Sequence, residues 1–169
     1  MIEIIKLHPD QWELFKDIRL KSLQVEPIAF GSSYELEKER SEEQWRQSLE
    51  KNWLEETSWQ YFAMEGEKVV GFMGAYIDAL PRLRHVAHLK AVFVETEYRG
   101  KGISKRLFEF LTDKLKEAGV LKLQLLVNKE NERAVAFYKK LGFSVLCTLE
   151  KEMLIDGKFY DDYFMEMFL

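Results

Sequence analysis

Apolar and polar positions change period several times along the chain, and each change marks an element. Residues 2–7 read as a short strand, after which Trp12, Phe15, Ile18 and Leu23 recur at helical spacing and define one inward face. Asp10 precedes that face as its expected N-cap, and Pro27 stops the helix. Residues 27–33, with Gly31, Ser32 and Ser33, form a turn-rich loop. The charged segment 34–40 that follows reads as a solvated face. Ser41-Glu42-Glu43-Gln44 has the form of a capping box, opening a helix through Trp45 and Leu49. Residues 59–64 and 69–77 predict antiparallel strands joined at Glu65-Gly66-Glu67. Residues 86–94 are nearly continuous in apolar side chains, as expected of a strand inside a sheet.

Beyond residue 100 the period lengthens. Ile103, Leu107, Phe110, Leu111 and Leu115 share one helical face, which Gly119 ends. Residues 120–127 predict a buried strand, and Ala134, Phe137, Tyr138 and Leu141 a second helix closed at Gly142. Residues 143–149 and 159–168 complete the pattern as two strands, with Asp156-Gly157 as the turn between them. With no repeat, linker or low-complexity stretch, residues 1–169 predict a single mixed α/β domain.

Composition narrows the function. The chain is 47% hydrophobic and 32% charged, which excludes a disordered chain or a collagen-like repeat. A formal charge of −4 makes a poor match to nucleic acid, whose binding runs on phosphate neutralisation. Cys147 stands alone, so no internal disulfide or cysteine metal cluster can form, and His8, His85 and His88 lack the spacing of a helical zinc pair. The first residues lack the charge and apolar run of a secretion signal, and no apolar stretch reaches membrane-span length. The expectation is a cytoplasmic protein with no metal, no nucleic-acid partner and no membrane partner.

The richest segment runs from Val92 to Leu107. A buried strand ends in a loop with Gly100 and Gly102, a helix follows at once, and Arg99, Lys101, Lys105 and Arg106 cluster around the junction. Free N–H groups and the positive dipole end of the helix make this an anion site. The phosphate loop of nucleotide hydrolases is absent, and Lys105 stands where the dinucleotide fingerprint needs glycine.

Arg99-Gly-Lys-Gly102-Ile-Ser104 resembles the Gln/Arg-x-x-Gly-x-Gly/Ala signature of the GNAT superfamily of N-acetyltransferases, departing only at Ser104. Downstream, Asn131, Ala134, Phe137, Tyr138, Gly142 and Phe143 are similar to that superfamily's Asn-x-x-Ala-x-x-Phe/Leu-Tyr-x-x-x-Gly-Phe. The resemblance implies a mostly antiparallel central sheet with a splayed strand pair and helices on both faces. It implies acetyl-CoA as co-substrate, its pantetheine arm paired to the backbone of Val92, Phe93 and Val94. Arg99, Gly100, Lys101, Gly102, Ile103 and Ser104 would wrap the pyrophosphate, and Asn131 would hydrogen-bond the cofactor. Tyr138 would protonate the departing thiolate.

An alkyl ammonium must lose a proton before it attacks, which at pH 7 costs about 4.6 kcal/mol. In members that acetylate histone lysines a glutamate stands eleven residues before the signature; His88 holds that position here and is the candidate base. Glu95, Glu97 and water compete with it. Leu126 holds the position of the carboxylate used by ribosomal-protein N-terminal acetylases, against that subgroup's mechanism.

The implied acceptor is a primary amine of a small molecule or peptide. Phe30, Tyr34, Trp45, Tyr76 and Tyr160 are candidates to line its pocket, with Glu35, Asp156 or Asp161 to pair a cation. Two other readings remain at this point: a non-catalytic acyl-CoA-binding or sensor domain, and transfer of a longer acyl group or to a hydroxyl. A homodimer through an edge strand or exposed aromatic surface is also compatible with the chain.

Overall fold

The computed structural model describes residues 1–78 and 80–169. The chain begins with β1 (Ile2–Ile5), α1 (Trp12–Val25), the single-turn α2 (Tyr34–Glu37) and α3 (Glu42–Leu54). Strands β2 (Ser58–Glu65), β3 (Lys68–Ile77) and β4 (Val86–Val94) follow, then α4 (Ile103–Glu117), β5 (Lys122–Asn128) and α5 (Glu132–Leu141). A hairpin of β6 (Ser144–Ile155) and β7 (Lys158–Phe168) closes the chain. One seven-stranded sheet runs in the order β1-β2-β3-β4-β5-β7-β6. Every neighbouring pair is antiparallel except β4 with β5. None of the described helices is long and apolar enough to cross a membrane.

Helices cover both faces, as the strand alternation requires. On one face Tyr61, Met73, Ala87, Leu89, Leu125 and Val127 pack with Leu107, Leu111 and Leu115 of α4 and with Tyr138 of α5. On the other, Phe62, Phe72 and Phe93 lie under Phe15 and Ile18 of α1 and Trp45 and Leu49 of α3. Trp45 is fully buried in this second layer, so it is core and not part of an acceptor pocket.

Local chemistry corrects several expected boundaries. His8, not Asp10, caps the first helical turn: its ring accepts the Asp10 N–H while the Gln11 side chain accepts the His8 N–H. Asp10 instead pairs with Arg46 of α3. The Ser41 capping box is present as expected. The charged segment 34–40 is not simply solvated, because Glu37 is buried and takes a forked bond from Arg19 Nε at 3.2 and 3.0 Å, tying α2 to α1. The strand expected at 120–127 is β5, where Leu123, Leu125 and Val127 are buried but Leu126 is exposed. The hairpin is longer than expected, since β6 passes a bulge at 150–152 and continues to Ile155.

The largest departure from a regular sheet lies at its centre. β4 and β5 pair only from Val86↔Lys122 to His88↔Gln124. Beyond that point β4 stays with β3 and β5 stays with β7 as far as Asn128↔Asp162. A bulge at Ala91, whose φ is +54°, breaks the β3–β4 register between Phe72 and Gly74 and turns β4 away. Gly71 allows the close approach this needs: a Cβ there would meet the Phe93 carbonyl oxygen at 2.8 Å.

The end of β4 is anchored by Glu95, which is buried between Lys21 of α1 at 2.7 Å and Lys68 of β3 at 2.6 Å. Burial works against its charge, but hydrogen bonds from the two lysines prevail and hold its carboxyl below the ordinary range. Both lysines stay about half exposed, at 43% and 50%, which screens the pair. Glu95→Gln should therefore lower stability by about 1–2 kcal/mol at pH 7, or about 3–6 °C in Tm. A depressed carboxyl pKa stabilises the fold above its unfolded value and loses that effect as pH falls through the folded one. Thermal melts should show the gap closing below about pH 4; an unchanged Tm at pH 7 would refute the anchor.

Candidate active site

The parting of β4 from β5 opens a cleft of about 1540 Å³ that reaches through the plane of the sheet. This exceeds an ordinary small-ligand pocket and suits a long ligand. Its walls are residues 89–94 of β4, residues 125–128 of β5, the start of α4 and the inner face of α5. The segment from Glu26 to Leu36 and the β6 bulge at Glu152 close it from the other side. From Leu89 to Val94 no described strand pairs with the β4 edge that faces β5, so its backbone groups are open to a ligand. Val92, Phe93 and Val94 all border the cleft. The Phe93 side chain is committed elsewhere, with its ring 5.9 Å from Phe72, so its contribution here is backbone.

At the mouth, α4 starts without a side-chain cap, directly after Gly102. Its first helical bond is the Arg106 N–H to the Gly102 carbonyl, which leaves the amides before it free. Gly100 and Gly102 have φ of +74° and +77°, and no atom lies within 4 Å of where a Cβ would stand on either. The loop can thus approach a ligand by backbone alone. Gly100 and Ser104 line the cleft, as does Arg99. Lys101, Gly102 and Ile103 do not; Ile103 turns into the core and Lys101 lies over the Tyr98 ring.

The four basic residues of this loop divide into two pairs. Arg99 donates from Nε to the Val94 carbonyl at 3.0 Å and forms an ion pair with Glu26 at 2.8 Å. Arg106 donates to the Ile2 carbonyl and fastens β1. Lys101, over the Tyr98 ring, and Lys105, 3.6 Å from Glu109, are both exposed and can turn toward an anion.

Tyr138 projects from α5 into the cleft wall, its ring packed edge-on against Phe143 at 5.7 Å. Burial alone, with no charged neighbour contributing, pushes its hydroxyl well above the ordinary tyrosine range. The group therefore holds its proton at any physiological pH. Asn131 also borders the cleft and spends its side-chain oxygen on the Ala134 N–H, capping α5.

The candidate bases are not gathered with these residues. His88 lies outside the cleft lining, its ring stacked on exposed Tyr76 at 4.9 Å and its Nε2 3.6 Å from Asp78. Glu95 is the structural anchor described above, and Glu97 is exposed near Lys68. Of the residues considered for an acceptor pocket, Phe30, Tyr34, Glu35 and Asp156 border the cleft, whereas Tyr76, Tyr160 and Asp161 do not.

Sequence reasoning passed over four residues that shape the site. Glu26 joins Arg99 to Arg133 across the cleft, and Ala91 makes the bulge. Asn128 and Asp162 form the last register pair of β5 and β7, buried and facing the cleft. A signal for Asp162 was present, because Asp161 and Asp162 are adjacent in a strand and one of them must point inward.

Comparison with known proteins agrees with this geometry. The Acetyltransferase (GNAT) family model matches residues 22–143, well over half of the chain. The spermidine N(1)-acetyltransferase of Escherichia coli (strain K12) is 38% identical over 99 residues, covering 56% of this chain and 50% of that enzyme. The chain thus aligns with only about half the length of that relative. The structure of a GNAT-family acetyltransferase from Streptococcus pneumoniae superposes with a TM-score of 0.89 at 23% identity, covering 100% of both chains. An acetyltransferase from Salmonella typhimurium, solved with its cofactor acetyl-CoA, superposes with a TM-score of 0.85 at 16% identity, covering 100% of this chain and 94% of the other. A sheet parted at the parallel pair of β4 and β5, an uncapped helix after two left-handed glycines and the matched family model lead to one conclusion: the chain belongs to the GNAT family of acetyltransferases.

Proposed function

We propose that this protein is an acetyl-CoA-dependent N-acetyltransferase that acetylates a primary amine of a small molecule or peptide by direct attack on the thioester. The observation that carries the reading is the open edge of β4 with buried Tyr138 beside it in one cleft. The cleft fits the cofactor: its volume and the open β4 edge along it suit a pantetheine arm, and the open space beside Gly100 and Gly102 suits a pyrophosphate. Acetyl-CoA, when bound, supplies an activated acyl carbon and a thiolate leaving group.

The chain's own residues do the rest. The backbone of residues 92–94 holds the pantetheine arm in register and offers N–H groups to the charge that develops on oxygen. Free amides at the start of α4, helped by Lys101 and Lys105, hold the pyrophosphate. Asn131 fixes the start of α5 and with it the position of Tyr138. The Tyr138 hydroxyl borders the cleft and donates its proton to the departing sulfur. His88 takes part in removing the amine's proton only through water, since it does not border the cleft. The relative named for spermidine is consistent with an amine acceptor here.

Calorimetric titration should give a micromolar Kd for acetyl-CoA, about −8 kcal/mol. Gly102→Asp strains a left-handed position and sets a negative charge beside the free amides of α4, and should weaken binding at least tenfold. A folded protein that binds nothing at millimolar acetyl-CoA would end the enzyme reading.

Tyr138→Phe should lower kcat by about 10²-fold or more while leaving the cofactor Kd unchanged. Its Tm should stay within about 2 °C, because the hydroxyl has no charged partner to lose. Equal loss of binding and turnover would remove Tyr138 from the role of acid.

A further inference from the structure

We propose, building on the N-acetyltransferase reading, that Asp162 and Asn128 form the acceptor's seat: Asp162 Oδ1 receives the ammonium, and Asn128 Nδ2 donates to a neutral carbonyl on the adjacent carbon. The acceptor class is therefore an amino-acid amide or a peptide N-terminus.

Two unmet hydrogen-bonding atoms carry the inference. Asp162 is 5% exposed and Asn128 3%, yet Asp162 Oδ1 and Asn128 Nδ2 are buried without a partner. Native folds seldom leave such atoms unmet unless something else satisfies them. Asn128 cannot turn its amide over at no loss, because its Oδ1 accepts the Glu130 N–H at 2.9 Å. The two residues face each other as register partners, and both border the cleft.

Placement agrees. Residues 125 and 127 point toward the α4–α5 layer with Tyr138, so 126 and 128 point to the opposite face. Exposed Leu126 and the Asn128–Asp162 pair therefore stand across the sheet gap from the proton donor. An amine seated on that face meets the gap from the side opposite the departing sulfur.

Charge selects the ligand. Asp162 is surrounded by Glu152 of β6 and Asp161 of β7, and Asp161 already holds Lys129 at 3.3 Å and the Lys151 N–H at 3.0 Å. Across the cleft, Glu26 is spent on Arg99 and Arg133. Burial first, then Glu152 and Asp161, pushes the Asp162 carboxyl up to about 6, as expected of a carboxylate awaiting its cation. An alkyl diamine satisfies Asp162 but leaves Asn128 Nδ2 empty. A free amino acid brings a carboxylate toward Glu152 and Asp156. An ammonium beside a neutral carbonyl satisfies both atoms.

The test measures CoA release with L-alaninamide, L-alanine and n-propylamine, beside melting curves and calorimetry of L-alaninamide on the CoA-loaded protein. Wild type should favour alaninamide at least tenfold in kcat/KM over the other two; equal use of all three overturns the substrate class. Asp162→Asn should raise the alaninamide KM at least tenfold and abolish the rise in KM that wild type shows as pH falls through about 6. Asn128→Asp keeps the oxygen that Glu130 needs but removes the donor, and should cut the preference for alaninamide over propylamine at least fivefold.

A carboxyl whose pKa is raised by folding stabilises the fold only at low pH, and the benefit fades between about 4 and its folded value. Asp162→Asn should therefore melt at or above wild type at pH 8. A variant that melts lower and loses all three amines equally makes Asp162 structural and overturns the seat. If wild type releases no CoA with any amine, the acetyltransferase reading falls instead. The seat is then judged by calorimetry alone: alaninamide binding lost in Asp162→Asn supports it, and binding unchanged in the variant overturns it.

Discussion

The site depends on a failure of backbone pairing. Three register pairs join β4 to β5, and then each strand follows its other neighbour, β4 along β3 and β5 along β7. Hydrogen bonds that a parallel pair would have made are withheld, and buried N–H and C=O groups need partners. Local chemistry enforces the separation. Ala91 adopts a left-handed φ of +54° that a larger or branched side chain resists, and Gly71 lets β3 close against the bulge. The bulge turns one strand edge out of the sheet and into a cavity, where only water or an extended ligand can complete its bonds. The loop after β4 inherits this position, which sets the free amides of α4 at the cavity's mouth.

Three buried carboxylates show how differently the fold treats its charges. Glu37 receives Arg19 and Arg40, and Glu95 receives Lys21 and Lys68; both end below the ordinary range despite burial. Asp162 is equally buried, has carboxylates for neighbours, and is pushed up. The first two hold elements together, α2 to α1 and the end of β4 to α1 and β3. The third holds nothing together and lines the cleft. Tyr138 lies across the sheet from it, a hydroxyl buried in the cleft wall with no charged neighbour. Groups left in unfavourable states by a fold that satisfies similar groups elsewhere mark the places where a ligand completes the structure.

Element order was legible because it rests on periodicity. The face carrying Leu107, Leu111 and Leu115, and the Ser41 capping box, need only neighbours in sequence. The glycines at 100 and 102 were legible for the same reason: a strand, a turn and a helix in succession dictate what the loop must do. The splay reached the sequence reading only through family resemblance, since no local pattern says that a strand will part from its neighbour. Gly71 and Gly74 inside an apolar strand were the available hint of a bulge. Asp162, Asn128 and Glu26 were hidden for a different reason. Their roles come from partners far along the chain, or from the lack of one, and charge patterning takes such residues for surface. His88 shows the reverse: its position along the strand was legible, but the stack on Tyr76 that sets its ring outside the cleft was not.

Glu26 links these observations. It lies just beyond α1 and holds Arg99 of the β4–α4 loop and Arg133 of α5 through a single oxygen. The two arginines stand on opposite lips of the cleft, one beside the open strand edge and one on the helix that carries Tyr138. Arg99 in turn donates to the Val94 carbonyl, where β4 ends. One carboxylate thus ties the β4–α4 loop, the helix that carries Tyr138 and the segment at 27–36 into a single frame. That segment is then not an independent lid. Its distance from the β4–α4 loop and from α5 is set by an ion pair spanning the gap between β4 and β5, so both walls of the cleft rest on the same break in the sheet.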